Sequence, residues 1–349
     1  MLFDNTHNPK RREIMKTGKR ILWIGIGTLV ILFCAVFPAS PAEKTIKIKW
    51  ASVLAPTDLN NIVAVEVIKR VKERTQGGVE LTLYPSSQLG KAPEVFQQQR
   101  AGAPILVETV PSWSADLGYP KLQILDGPFL YENVEQLNRF VRSELAAKWN
   151  TEFLKRSGIR ILTWNWYGGQ RHILAKRGFK HPDDLKGVKF RVPETPVWIR
   201  TFELLGATPT TIPWAEVYNA LSMGVADAAE SPLSAIWSIK LYEVAKVVTL
   251  TGHFTAVRGF QISEKLFQSM PLEHQKVLIE EFIRGGEQVT KMAIESEDDF
   301  IKKMTEKGVS FVKPEVELYK QRTKPFYTEE KVKWTSADYN ELLAALKGK

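Results

Sequence analysis

Between residues 45 and 110 the chain alternates short apolar runs with stretches of helical spacing, and this rhythm restricts the fold more than any other feature. "TIKIKWA" (45–51) alternates with period two, as a half-buried strand does. "IVAVEVIKRVKERTQGG" (62–78) places Ala64, Val67, Ile68 and Val71 on one helical stripe, with Asn60 or Asn61 as the expected N-cap and Gly77 as the stop. "VELTLY" (79–84) reads as a strand, "PEVFQQQRAG" (93–102) as a helix, and "ILVETV" (105–110) as a strand covered on both faces. Strand, helix, strand, helix, strand in this order predicts parallel strands joined by right-handed crossovers, an α/β architecture.

Helices are expected over about 133–156, followed by a strand, "GIRILTWNWYGG" (158–169), that runs out at paired glycines. A second set begins there, with strands near 171–175 and 188–192, helices near 196–205 and 214–223, and strands near 246–262. The charged, unbroken pattern from Leu272 to Lys307 predicts one long helix, with Gly285–Gly286 as the place for a bend. Two α/β domains fit this order, the chain crossing between them near 166–169 and 253–258. The expected boundaries are 43–166 plus 257–296 for the first and 167–256 plus 297–349 for the second.

The first 42 residues read as an export signal. Lys10, Arg11, Arg12, Lys16, Lys19 and Arg20 precede a 17-residue uncharged run (21–37), and small Ser40 and Ala42 are placed for cleavage before Glu43. A retained membrane anchor is the rival reading, since the run is near the lower limit for spanning. "RREIMK" (11–16) resembles a twin-arginine signal, whereas a start at Met15 leaves an ordinary secretory one. Removing these residues takes six Lys/Arg and two Asp/Glu, so the formal charge falls from +9 to +5. That balance, with no basic run interleaved with aromatics, argues against nucleic acid as a partner. The single cysteine, Cys34, falls in the removed run, so the mature chain has no disulfide or cysteine metal site. A soluble, periplasmic, monomeric protein is expected.

Few residues suggest chemistry. The five histidines (7, 172, 181, 253, 274) show no ligand spacing, and neither a phosphate loop nor a Gly-x-Ser-x-Gly elbow occurs, so neither a metal nor a cofactor is expected. In "HPDDLKGVKFRVPETP" (181–196), Val188, Phe190 and Val192 alternate with Lys189 and Arg191, and Pro193 ends the strand. Arg191 thus sits on stiff backbone, facing away from the packed side. Arg171 lies 20 residues earlier, at the start of a strand expected to be its neighbour. Two such guanidiniums repel unless an anion lies between them, and arginine matches a carboxylate bidentately. Glu108 interrupts an apolar strand, Trp214 opens "WAEVYNAL", and Ser231 reads locally as a helix N-cap before Pro232. Each has a structural explanation: a solvated strand end, a buried ion pair, a core tryptophan, a cap.

"QLG" (88–90), "DLKGVKFRVPETPVWIRTFELLGATPT" (184–210) and "EVYNALSMGVADAAESPLSAI" (216–236) resemble the solute-binding proteins of tripartite ATP-independent periplasmic (TRAP) transporters, the DctP-type family. The resemblance covers the whole mature chain. It implies a two-domain periplasmic-binding-protein-like fold with a ligand cleft between the domains and a long bridging helix. It also implies a non-enzymatic function: capture of a small organic acid and its delivery to the small and large membrane subunits. On the same basis Arg191 grips the substrate carboxylate, Arg171 is a second ligand arginine, Trp214 lies over the ligand, and Ser231, Glu108 and Glu194 contact it. Glu194 is alternatively a cap for the helix starting near 196. Arg171 stands where some keto-acid binders have Gln and a metal, and Lys91 stands where sialic-acid binders have an acidic residue. Trp164, Trp166, Trp198 and Trp214 are candidates for the cleft, with at least half of them expected in the core. Arg191 is expected to dominate affinity and Arg171, after Gly168–Gly169, to tune it from a looser mount. The rival class is an exported isomerase or lyase using Glu108 as base beside an arginine clamp; among the histidines only His172 is near that clamp in sequence.

Overall fold

The computed structural model describes residues 45–329 and 333–348; the expected export segment lies outside the described residues. The strands are β1 (Ile46–Ala51), β2 (Val79–Tyr84), β3 (Ile105–Thr109), β4 (Ile159–Ala175), β5 (Lys189–Val192), β6 (Thr208–Thr211), β7 (Ala228–Pro232), β8 (Val247–Ser263) and β9 (Ser310–Val312). They form one sheet in the order β2-β1-β3-β8-β4-β7-β5-β6, with β9 beside β8. β1 pairs in parallel with both β2 and β3, as the strand–helix rhythm predicts. β8 then runs antiparallel to β3 and β4, and β7 antiparallel to β4.

Helices α1 (Leu59–Arg74) and α2 (Ala92–Arg100) make the two crossovers of the first half. Asp58, not Asn60 or Asn61, caps α1: its carboxylate accepts the Asn60 backbone N–H at 3.0 Å. After β3 come the short α3 (Pro111–Ala115), then α4 (Val134–Val141) and α5 (Glu144–Ser157), where the sequence suggested one continuous stretch. Ser143 breaks it, its side chain accepting from Ala146 N to start α5. In the second half α6 (Pro196–Leu204) joins β5 to β6, α7 (Val217–Ser222) precedes β7, and α8 (Leu233–Ser238) follows it.

The stretch read as two strands separated by Gly168–Gly169 is a single 17-residue strand, β4, and its partner β8 is equally long. Their pairing slips near Thr163, Trp166, Tyr167–Gln170 and Arg171–Ile173, so the glycines sit among irregularities rather than at a strand end. After α9 (Glu264–Gln268), α10 runs unbroken from Leu272 to Glu306, 35 residues or about 50 Å. Gly285 and Gly286 serve close approach in it: a Cβ on Gly285 would meet the Trp166 ring at 2.6 Å, and one on Gly286 would meet the Asn165 amide. Trp166 Nε1 donates to Phe282 O at 2.7 Å and Asn165 Nδ2 to Ile283 O at 2.8 Å, stapling helix to strand. Beneath α10, Trp50, Trp166, Phe260 and Phe282 pack edge to face or tilted. α11 (Val316–Thr323) and α12 (Ser336–Lys347) close the chain. α12 lies against α4 and α5, held by Arg139 Nε donating to Leu346 O and by the Lys148–Glu341 pair, so it sits with the first half rather than the second.

Candidate functional site

Five neighbouring strands, β3-β8-β4-β7-β5, each carry a buried charge: Glu108, Arg258, Arg171, Glu230 and Arg191 respectively. Each stands on a strand of the one sheet, so the sheet itself mounts the charges on stiff backbone.

Arg171 and Arg191 are not on adjacent strands. β7 lies between their strands and supplies the anion that their repulsion demands. Glu230, fully buried, takes the Arg171 fork on both oxygens, from Nε and, at 2.7 Å, from Nη2. Trp198 Nε1 also donates to Glu230, at 3.0 Å, and the Trp198 ring lies 5.6 Å from the Arg171 guanidinium. Behind them His253, fully buried, sets Nε2 3.7 Å from Glu230 and binds Thr251 through Nδ1. Burial pushes the Glu230 carboxyl up, but Arg171 and His253 outweigh this and hold it well below the usual glutamate range. Burial lowers the His253 imidazole, so it stays neutral beside the pair. Arg171 is therefore neither loosely mounted nor free: its Nε and Nη2 are committed to Glu230.

Arg191 contrasts with it. Only 2% of it is exposed, against the solvated strand end that its position suggests. Nε donates to Ile212 O at 2.8 Å, and this is the only hydrogen bond its side chain makes among the described residues. Trp214, half-buried, sets its ring 5.5 Å from the guanidinium. Burial, with a smaller push from Arg171, lowers the Arg191 guanidinium to about 9, while Glu230 resists. The group is charged at neutral pH, desolvated, and has its outer edge undonated.

Ser231 is buried inside β7 opposite His172, and the N-cap of α8 is Pro232, so Ser231 is not a cap. Glu194 is exposed and does not cap α6 either; Thr195 does, accepting from Trp198 N. Glu194 instead lies within electrostatic reach of Asp116, just after α3, whose carboxyl is raised by burial and further by Glu194. Lys91 pairs at 3.3 Å with Glu216, next to Trp214, both half in solvent. Of the four tryptophans considered, Trp164, Trp166 and Trp198 belong to the core and Trp214 is half-buried; Trp198 and Trp214 flank Arg171 and Arg191 respectively.

On the first-half side, Glu108 is 3% exposed. Ser52 donates to its Oε2, and Arg258 Nε stands 3.6 Å from its Oε1. Burial raises its carboxyl against the pull of Arg258 and Ser52. Asp126, also buried, accepts Ser112 N at 2.7 Å and is pushed up by burial to about 7, with Arg171 and Arg258 both close enough to pull it down.

Glu230, Arg258 and His253 were not singled out from the sequence. The signal existed for two of them: "AAESPL" (228–233) and "TAVRGFQI" (255–262) place one charge in a largely apolar run, as "ILVETV" does for Glu108.

A family model described as bacterial extracellular solute-binding protein, family 7, matches residues 50–334. The 2,3-diketo-L-gulonate-binding periplasmic protein YiaO of Escherichia coli is 30% identical over 73% of this chain and 77% of that protein. A TRAP periplasmic solute binding protein from Ochrobacterium anthropi, with bound L-fuconate, is 32% identical with a TM-score of 0.83, over 87% of this chain and 100% of that one. One from Escherichia fergusonii, in an apo open structure, is 29% identical with a TM-score of 0.71, over 86% of this chain and 98% of that one.

Proposed function

Since the chain belongs to the bacterial extracellular solute-binding proteins of family 7 and is a binding subunit of a TRAP transporter, we propose that Arg191 is the residue that anchors its organic acid. The observation that carries this is the state of the guanidinium: buried, charged, and hydrogen-bonded only through Nε. A carboxylate on its two terminal nitrogens would repay the desolvation with paired, charge-assisted bonds. Trp214 covers the guanidinium, and the Glu230–Arg171 pair holds β7 and β4 in place beside it. Arg171 acts on the ligand through its long-range charge. Relatives with an acid in their names, 2,3-diketo-L-gulonate and L-fuconate, agree with a small organic acid here.

Closure would swing two lobes about the irregular middle of β4 and β8. We assign 45–166 and 257–296 to the first lobe, joined by α12, and 167–256 and 297–329 to the second. The α12 contacts with α4 and α5 support that assignment. The chain resembles the L-fuconate complex more closely than the open structure at similar identity, which favours a closed arrangement. The buried His253 faces Glu230 rather than Arg191, which favours binding over acid–base chemistry.

Calorimetry against a panel of organic acids in excess chelator tests the function. One acid is expected to bind a monomer with one-to-one stoichiometry and to be recovered unchanged. Loss of the binding heat in chelator, or conversion of the acid, would overturn it. The order of basic, apolar and small residues in positions 1–42 supports cleavage before Glu43 and a periplasmic product. N-terminal sequencing of the exported form should read from Glu43; an intact start on a membrane-bound form would mean a retained anchor.

A further inference from the structure

We propose that the ion pair between Lys91 and Glu216 is a latch across the mouth of the cleft, holding the closed state and slowing release of the bound acid; this rests on the two-lobe reading above. The pair joins the lobes. Lys91 immediately precedes α2 in the first, Glu216 ends the short turn Trp214–Glu216 in the second, and Nζ stands 3.3 Å from Oε1. Among the described residues no other lysine or arginine of one lobe pairs with a carboxylate of the other. The neighbours place it at the ligand. On the first-lobe side, Gly90 and Ala92 line one hollow with Ser52 and Glu108. On the second-lobe side, Glu216 shares its turn with Trp214, whose ring lies 5.5 Å from the Arg191 guanidinium. While the pair holds, the turn that covers Arg191 is tied to the opposite wall.

Both ends stand on fixed backbone, and neither charge has another task. The Lys91 backbone N–H, not its ammonium, completes the start of α2 by donating to Glu94 Oε2 at 3.0 Å. Gly90, at φ +115°, leaves the room that this fold-back needs, since a Cβ there would meet Glu94 Oε2 at 2.6 Å. The Glu216 backbone N–H closes its turn onto Pro213 O at 3.0 Å, and its carboxylate does not cap α7. With 58% and 56% of the two side chains exposed, the pair contributes little to folding, so replacing it does not threaten the fold. An interaction made in only one of two states shifts their balance by its full strength. This one exists only with the lobes together, so its effect falls on closure and release.

The test reverses each charge and then swaps both: Lys91→Glu, Glu216→Lys and Lys91→Glu/Glu216→Lys. Exposed Val65 and Met223 lie in different lobes, and the chain from Glu43 has no cysteine, so labels on Val65→Cys and Met223→Cys report closure. Stopped-flow mixing with L-fuconate and with 2,3-diketo-L-gulonate, the acids named for relatives, gives the rates. Each single reversal replaces an attraction by a repulsion and should speed release about threefold to tenfold, and the swap should return it to within about twofold of the wild type. The signs separate a latch from steering. A changed field moves association of an anion in opposite directions in Lys91→Glu and Glu216→Lys, whereas a broken latch speeds release in both. Salt alone would not decide, because it also screens the like charges of Asp116 and Glu194, which act on each other from the two lobes. Unchanged release in both single variants, or a swap that stays fast, overturns the latch and leaves the two-lobe reading in place. Labels that show no closure of the wild type with either acid overturn the two-lobe reading and the latch with it.

Discussion

Replacing Arg191 by alanine is expected to weaken acid binding about a thousandfold while leaving the empty protein folded. The bound carboxylate would lose the guanidinium that anchors it and remain partly unpaired in a desolvated place, a cost of about 3–5 kcal/mol. In the empty protein the same change removes one hydrogen bond, Nε to Ile212 O, and the pull of Glu230, but also a charge that burial, and to a lesser degree Arg171, opposes. Arg191→Lys keeps the charge but not the planar fork and should cost about 1.5–3 kcal/mol. Titration of both variants against the best acid, beside their ligand-free melting curves, checks this. A lysine variant that binds like the wild type would show that a point charge suffices and that Arg191 is not a bidentate anchor.

Arg171→Ala should behave differently, as a stability variant rather than an affinity one. From the sequence, Arg171 is expected to tune affinity from a loose mount, at about half the cost of losing Arg191, with the fold intact. The structure removes the basis for that expectation, because Arg171 neutralises Glu230, which has no exposure at all. Breaking a buried pair by removing one partner leaves an uncompensated charge, and about 3–5 kcal/mol of folding stability should go. Arg171→Met/Glu230→Met, which removes both charges, should recover most of it. Denaturant unfolding of the two variants gives the comparison, and an Arg171→Ala protein as stable as the wild type would refute the assignment. The pair also predicts a pH dependence. Glu230 titrates below its unfolded value of about 4.3, so its contribution is fully present above that value and is lost as pH falls through the lower folded one. Between pH 5 and pH 3, roughly, the double-methionine protein should lose less stability than the wild type.

Much of the fold follows from local pattern. The period-two runs and helical stripes of 45–110 determine a parallel β-α-β-α-β unit, because side-chain spacing and crossover handedness are properties of neighbouring residues. The 272–307 pattern determines one long helix, and Val188–Pro193 determines that Arg191 stands on a short rigid strand. What periodicity does not contain is strand order. The insertion of β7 between β4 and β5 decided that Glu230, 59 residues from Arg171, meets it and commits its fork. The pairing of β8 with β3 decided that Arg258 faces Glu108, 150 positions away in the chain. The glycine pair that reads as a strand end lies inside β4 because β8 pairs with the strand on both sides of it, at Tyr167 and again at Gln170, across an irregularity at the glycines. Charges buried in a sheet take their roles from whichever strand lies next to them, and only the folded chain decides that.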